Sequence, residues 1–263
     1  MEFVDVHCHL DDSRYSGDLD NVIRKAKDAG AVAIISSGVN PDSNRKVLEL
    51  SRRYDIVKCS FGMYPLDSIA DKAEIPDDEV RHVKPFNVDS ELMWIEEHKD
   101  DCISIGEVGL DYKLAPGTEE LQKQVFEKAI SLAIKLDKVV VVHSRKAELD
   151  CIEVLEKMNC KKVVMHCFSG KKSLIKRCVE NGWFLSIPAV ITRLQHFQMM
   201  AEIVPLENLL TETDGPYLAP VAGGLSESAD IASTIREIAK IKCLDEGEVG
   251  RVIFNNAKGL FNL

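Results

Sequence analysis

Two histidines one residue apart, His7 and His9, stand in the run Glu2, Phe3, Val4, Asp5, Val6, His7, Cys8, His9, Leu10. Phe3, Val4 and Val6 favour a strand. Side chains two apart on a strand leave the same face, so the two imidazoles aim at one point and form half of a metal site. The motif is short, and taken alone it fits equally well two ordinary histidines, one buried and one solvated. The rest of the chain has to supply the other half.

Further candidates recur at one kind of position. Glu107 follows the apolar run 102–105, His143 follows 138–142, His166 follows 162–165, and Asp214 follows 208–212. In a barrel of parallel strands the C-terminal ends all face one mouth, where functional loops gather. Four histidines and two carboxylates converging there make a site for one or two divalent ions. A nitrogen-plus-oxygen donor set suits Zn, Mn, Ni or Co and admits a weakly held Mg. Arg145, two residues past His143, stands on the same rim and is placed to meet a phosphate oxygen. Lys113, Lys171, Lys172 and Arg193 read as solvated cations, and His82, His98 and His196, which lie off the strand ends, as solvated histidines.

The elements that must position these residues alternate along nearly the whole chain. Asp18 is a candidate cap for a helix with Leu19, Val22, Ile23, Ala26 and Ala29 on one face and Gly30 at its end. Strands are expected at 31–35, 56–61, 102–105, 138–142, 162–165, 183–187 and 208–212, with helices at 41–54, 88–98, 119–136, 148–158, 174–181, 194–203, 229–241 and 245–260. The strands are short and apolar, as parallel strands covered on both faces should be. The expectation is one α/β domain over 1–263, a single (β/α)8 TIM-type barrel with a metal site at the C-terminal ends of its strands. A doubly wound open sheet is the alternative. The stretch 64–85 carries three prolines and many acids and reads as a solvated loop, or else as a lid over the mouth.

Composition narrows the classes. An apolar fraction of 45% allows a full core. No apolar run approaches the roughly 20 residues of a membrane span, and the chain enters its first strand without a secretory leader. The eight cysteines form no CxxC pair, which suggests reduced thiols and a cytoplasmic location. A net charge of −10 argues against a generally basic, nucleic-acid-coating surface. It leaves room for an anionic substrate, because bound cations invert the charge locally.

The segments VDVHCHLD, SIGEVGLDY, VVVHSRKA, VMHCFSG and TETDGPYLAP resemble the motifs of the TatD-like metal-dependent deoxyribonucleases of the amidohydrolase superfamily. The resemblance runs from Val4 to about Pro220, and the closing NNAKGLF (Asn255 to Phe261) is similar to the end of that family. It implies a barrel hydrolase with a two-metal centre. His7, His9 and Asp214 would hold one ion, His143 and His166 the other, and Glu107 would bridge them. Two places depart from the family pattern. Where the family carries G-x-H-P-H, this chain reads Gly62, Met63, Tyr64, Pro65, Leu66, and Val221 to Ser226 replace an Arg- and Asn-containing loop. The Tyr64 phenol is then the candidate for a lost histidine's role in stacking on a base or hydrogen-bonding the substrate.

The activity so implied is metal-assisted hydrolysis, as exonucleolytic trimming of DNA ends. Asp214 takes a proton from the attacking water and returns it to the leaving oxygen, with Glu107 as the second catalytic carboxylate. One rival keeps the site and changes the bond, to an ester, amide or lactone, including an aminoacyl ester on transfer RNA. A second rival is a barrel that binds metal without turnover. The sequence says nothing of oligomeric state.

Overall fold

Short β-branched runs become parallel strands, and the amphipathic stretches between them become crossover helices. The computed structural model describes residues 1–73 and 83–263. Its strands are β1 (Phe3–Cys8), β2 (Ala31–Ser37), β3 (Val57–Phe61), β4 (Cys102–Asp111), β5 (Val139–Arg145), β6 (Val163–Met165), β7 (Phe184–Pro188) and β8 (Leu209–Glu212). They form one sheet in sequence order, each paired in parallel with the next. Just past β8 the sheet meets its first strand again. Cys8 bridges Gly215 in parallel, and the His9 N–H donates to the Gly215 carbonyl at 2.7 Å. The result is the expected (β/α)8 barrel.

The helices are α1 (Leu19–Ala29), α2 (Pro41–Arg53), α3 (Pro65–Ile69), α4 (Val88–Glu97), α5 (Glu119–Lys135), α6 (Glu148–Lys157), α7 (Lys172–Glu180), α8 (Gln195–Ile203), α9 (Ile231–Lys242) and α10 (Glu246–Phe261). On α1, Val22, Ile23 and Ala26 are buried, and Gly30 ends the helix in the left-handed region at φ 108°. Asp18 precedes α1 but makes no side-chain cap to it; its carboxylate accepts from the Asn21 amide instead.

Alternate strand residues divide between two cores. Val4, Val6, Ala33, Ile35, Val139, Val141, Val164 and Leu210 cluster with Ala257 and Phe261 of α10. Their neighbours Phe3, Ile34, Val140, Val142, Val163 and Leu209 join the larger cluster shared with the other helices. A period of two thus separates an inner face from a helix-covered outer one.

Three expectations need correction. β4 does not stop at Ile105 but runs to Asp111, and β5 runs to Arg145, so Glu107 and His143 lie within strands. Glycines at 106 and 109 look like a turn in sequence, yet pairing with β5 continues through Val108↔Val142 and Asp111↔Arg145. The stretch after Gly62 begins with α3, all five of whose residues are buried, and not with a solvated loop. The lid expectation falls largely on 74–82, outside the described residues. His98 and His196, expected to be solvated, are half-buried. His98 stacks on Trp94 with its Nδ1 2.9 Å from the Trp94 carbonyl, and His196 Nε2 lies 3.0 Å from the Phe168 carbonyl. No described helix is long and apolar enough to cross a membrane.

Candidate metal centre

The barrel gathers all six sequence-predicted residues at one mouth. His7 and His9 come from β1 and the residue after it, and Asp214 from just past β8. The seam that closes the barrel therefore also sets these three side by side. Asp214 Oδ1 lies 3.5 Å from His7 Nε2 and 3.4 Å from His9 Nε2. The ligand-type atoms of His7, His9 and Asp214 lie within 4.8 Å of one another, as do those of His7, Glu107 and His166.

Glu107 sits between two histidine pairs. Its Oε2 is 3.7 Å from His7 Nε2 and 3.5 Å from His9 Nε2. Its Oε1 is 2.8 Å from His143 Nδ1 and 3.2 Å from His166 Nε2. Gly62 makes room for this carboxylate's backbone: a Cβ at that position would stand 2.2 Å from the Glu107 nitrogen and 2.3 Å from the Gly106 carbonyl carbon. The Asn44 amide holds Gly62 from both sides, accepting from its N–H at 3.0 Å and donating to its carbonyl at 2.9 Å.

Each histidine also has a polar group behind it, hydrogen-bonded at His7, His9 and His143 and only facing at His166. Ser37 supplies its Oγ to His7 Nδ1 and its carbonyl to His9 Nδ1, both at 3.0 Å. Asp111 Oδ2 is 3.1 Å from His143 Nε2, and Glu212 Oε2 is 3.6 Å from His166 Nδ1. Glu212 is fixed in turn by the Ser186 hydroxyl at 2.6 Å and the Cys167 N–H at 2.8 Å. Sequence reasoning passed over Ser37, Asp111 and Glu212. The two acids stand inside the motif runs GEVGLDY and TETD, but each faces a histidine that is remote in sequence.

The electrostatics follow from this packing. Burial would lower His9, yet Asp214 and Glu107 raise it to about 9. Burial likewise opposes the rise at His143 and His166, which Asp111, Glu107 and Glu212 bring about. His7 goes the other way, lowered by burial and by the stacked ring of His166 at 4.0 Å. Burial would raise Glu107 and Asp214, but the histidines hold both below the usual carboxylate range. Burial, with Glu212, Asp214 and Glu107 nearby, pushes the Cys167 thiol well above its ordinary range.

A divalent ion suits this donor set. His7 Nε2 is a buried nitrogen with no hydrogen-bond partner among the described residues, aimed at two carboxylates. Such an orphan is costly unless something positive completes it. Nitrogen and carboxylate donors without sulfur fit a first-row divalent ion.

Above the cluster opens a cavity of about 540 Å³, reaching His9, Glu107, His143, His166 and Asp214 at its base. Tyr64 and Arg145 line its wall, as do Phe197, Tyr217 and Leu218. Tyr64 is buried, and its hydroxyl donates to Asp111 Oδ2 at 2.7 Å. Arg145 is exposed at the end of β5. Lys113, Lys171, Lys172 and Arg193 are exposed as expected; Arg193 also donates to the Ala219 carbonyl at 3.2 Å.

Known proteins resemble this chain over nearly its whole length. The family profile described as TatD related DNase matches residues 4–262. Deoxyribonuclease TATDN3 of Homo sapiens is 35% identical over 264 residues, covering 98% of this chain and 94% of the relative. An uncharacterized metal-dependent hydrolase of Methanocaldococcus jannaschii is 32% identical, covering 99% of this chain and 97% of the relative. The crystal structure of YJJV, a TatD homolog from Escherichia coli K12, shares the fold with a TM-score of 0.86 at 24% identity, covering 99% of this chain and 98% of that one.

Proposed function

This chain belongs to the TatD related DNase family, and from that premise we propose that it is a divalent-metal-dependent deoxyribonuclease that trims DNA ends by phosphodiester hydrolysis. The observation that carries this reading is the placement of Glu107, one oxygen toward His7 and His9 and the other toward His143 and His166. One domain over 1–263 holds the whole site. His7, His9 and Asp214 would hold one ion and His143 and His166 the other, with Glu107 available to both. Zn, Mn, Mg, Ni and Co are the candidate ions.

Divalent ions bound there supply Lewis-acid polarisation of the phosphoryl group and a water ionised near neutral pH. The chain's own residues do the rest. Asp214, kept ionised by His7 and His9, accepts a proton at its carboxylate from the attacking water and returns it to the leaving oxygen. Arg145 meets a non-reacting phosphate oxygen from the rim with its fork of donors. The wall of Phe197, Tyr217 and Leu218 limits water around the scissile bond.

A second reading keeps the site and changes the substrate to a carboxylic ester, such as an aminoacyl ester. The loop after β8 favours it, because Val221 and Leu225 are 72% and 48% exposed where a loop bearing Arg would offer charge.

The test is end-labelled single-stranded DNA with Mg, Mn or Zn, against a chelator and against His143→Ala and Asp214→Ala. Metal-dependent release of mononucleotides from one end, lost in both variants, is expected. Arg145→Ala should raise KM roughly tenfold with little change in kcat, the loss of one charge-assisted contact. Turnover of small esters but not of DNA, by folded and metal-loaded protein, would move the assignment to the second reading.

A further inference from the structure

His143 differs from the other site histidines in the way it is held. His9 turns Nε2 toward the site and gives Nδ1 to a backbone carbonyl. His143 turns Nδ1 inward and gives Nε2 to a side chain, the carboxylate of Asp111. The register of β4 and β5 makes this pair: Gly109 lies opposite His143, and Asp111 two residues on lies opposite Arg145.

Asp111 is itself fixed at every polar atom. Its backbone N–H donates to Gln122 Oε1 at 2.7 Å and its carbonyl accepts from Gln122 Nε2 at 3.0 Å. Its Oδ1 accepts from the N–H groups of Lys113 at 3.0 Å and Leu114 at 2.9 Å. That leaves Oδ2, which faces the Tyr64 hydroxyl at 2.7 Å and His143 Nε2 at 3.1 Å. The residue is fully buried.

An ionised carboxylate only accepts hydrogen bonds. The hydrogen of a neutral His143 therefore belongs on Nε2, and the Nδ1 lone pair points at Glu107 Oε1, 2.8 Å away. Two acceptors at that separation need a positive group to share. We infer that Asp111 is a positioning residue: it fixes the Nε2–H tautomer of His143 and presents Nδ1 as a metal-binding atom, with the Tyr64 hydroxyl as the second donor to the same oxygen. A carboxylate behind a ligating imidazole also raises its basicity, an effect typically worth roughly 10–100-fold in metal affinity. This inference rests on the reading of His143 as a ligand.

The informative variant is Asp111→Asn. The two backbone N–H groups at 113 and 114 keep the amide oxygen on their side, so the amide NH2 faces His143. The ring must then accept at Nε2 and carry its hydrogen on Nδ1, the atom meant for the ion. The loop bonds survive, and Tm provides the check on folding.

Two measurements decide the matter: ring-nitrogen chemical shifts of His143 in the metal-free protein at a pH where the ring is neutral, and calorimetric affinity for Zn. Expected is a shift of the His143 hydrogen toward Nδ1 in Asp111→Asn with roughly 10–100-fold weaker binding of one ion. Tyr64→Phe, which leaves the Asp111–His143 bond in place, should keep the native tautomer with a smaller loss. An unchanged tautomer in Asp111→Asn overturns the inference, as does a changed tautomer with native affinity. His143→Ala is the separate control on the ligand reading. If it binds both ions as tightly as the native protein, that reading fails whatever Asp111 does.

Discussion

The backbone N–H of Asp214 donates to the carbonyl of His7 at 2.9 Å, so residues far apart in the chain share one seam and stand side by side in the site. Asp5 reinforces the seam. It accepts from the Thr213 N–H at 2.9 Å, the Thr213 hydroxyl at 2.6 Å and the Ser228 hydroxyl at 2.7 Å. Metal site and barrel closure are one construction, and its ionisable groups make it sensitive to pH.

Asp5 should tilt the stability profile on the acid side. Burial pushes its carboxyl up to about 7 against the bonds from Thr213, Ser228 and His7. A carboxyl with a raised folded pKa binds more protons folded than unfolded. Its contribution is therefore complete below about pH 4 and is lost as pH rises through 7. Melting of the metal-free protein from pH 4 to 7 should decline more steeply for the native chain than for Asp5→Asn. Parallel profiles for the two would sink the idea.

Metal uptake should expel protons. His9, raised to about 9, holds a proton at neutral pH in the metal-free protein, and His143 and His166 are raised as well. For His9 the stabilising contribution is complete below about pH 6.5 and is lost as pH rises through 9. A ligating imidazole has to shed its proton first. Apparent metal affinity should thus climb from pH 6.5 and level off above 9. Calorimetry at pH 7 in buffers of different ionisation heat measures the released protons directly, and a buffer-independent heat would contradict the assignment.

Gly62→Ala should damage the site through the backbone. The added methyl would stand 2.2 Å from the Glu107 nitrogen and 2.5 Å from its carbonyl oxygen. These atoms belong to a paired strand and cannot swing aside as a flexible side chain would. A loss of about 1–3 kcal/mol in stability is expected, with lower metal content because Glu107 is displaced. Thermal melting alongside metal analysis checks both, and native values for both would show that the strand yields cheaply.

How much of this was legible beforehand depended on the range of the interactions involved. Apolar runs such as 31–35 and 138–142, each followed by a helical pattern, were enough for the (β/α)8 order, because strand and helix periodicity are local properties of the chain. The same runs placed His7, His9, His143, His166, Glu107 and Asp214 at one mouth, since parallel strands of a barrel share a polarity. What lay beyond that reading was pairwise and long-range. The length of β4 followed from its register with β5, which carries the strand past two glycines that locally favour a turn. The approach of Asp111 to His143 and of Glu212 to His166 depends on which side chains neighbouring strands turn toward each other. The division of Glu107 between two histidine pairs needs distances of 2.8–3.7 Å across four strands. Sequence alone determined the kind of site and its place in the fold. Tertiary structure decided the partners of each nitrogen and oxygen, because hydrogen bonding and Coulomb interactions act over a few ångströms of space and take no account of separation along the chain.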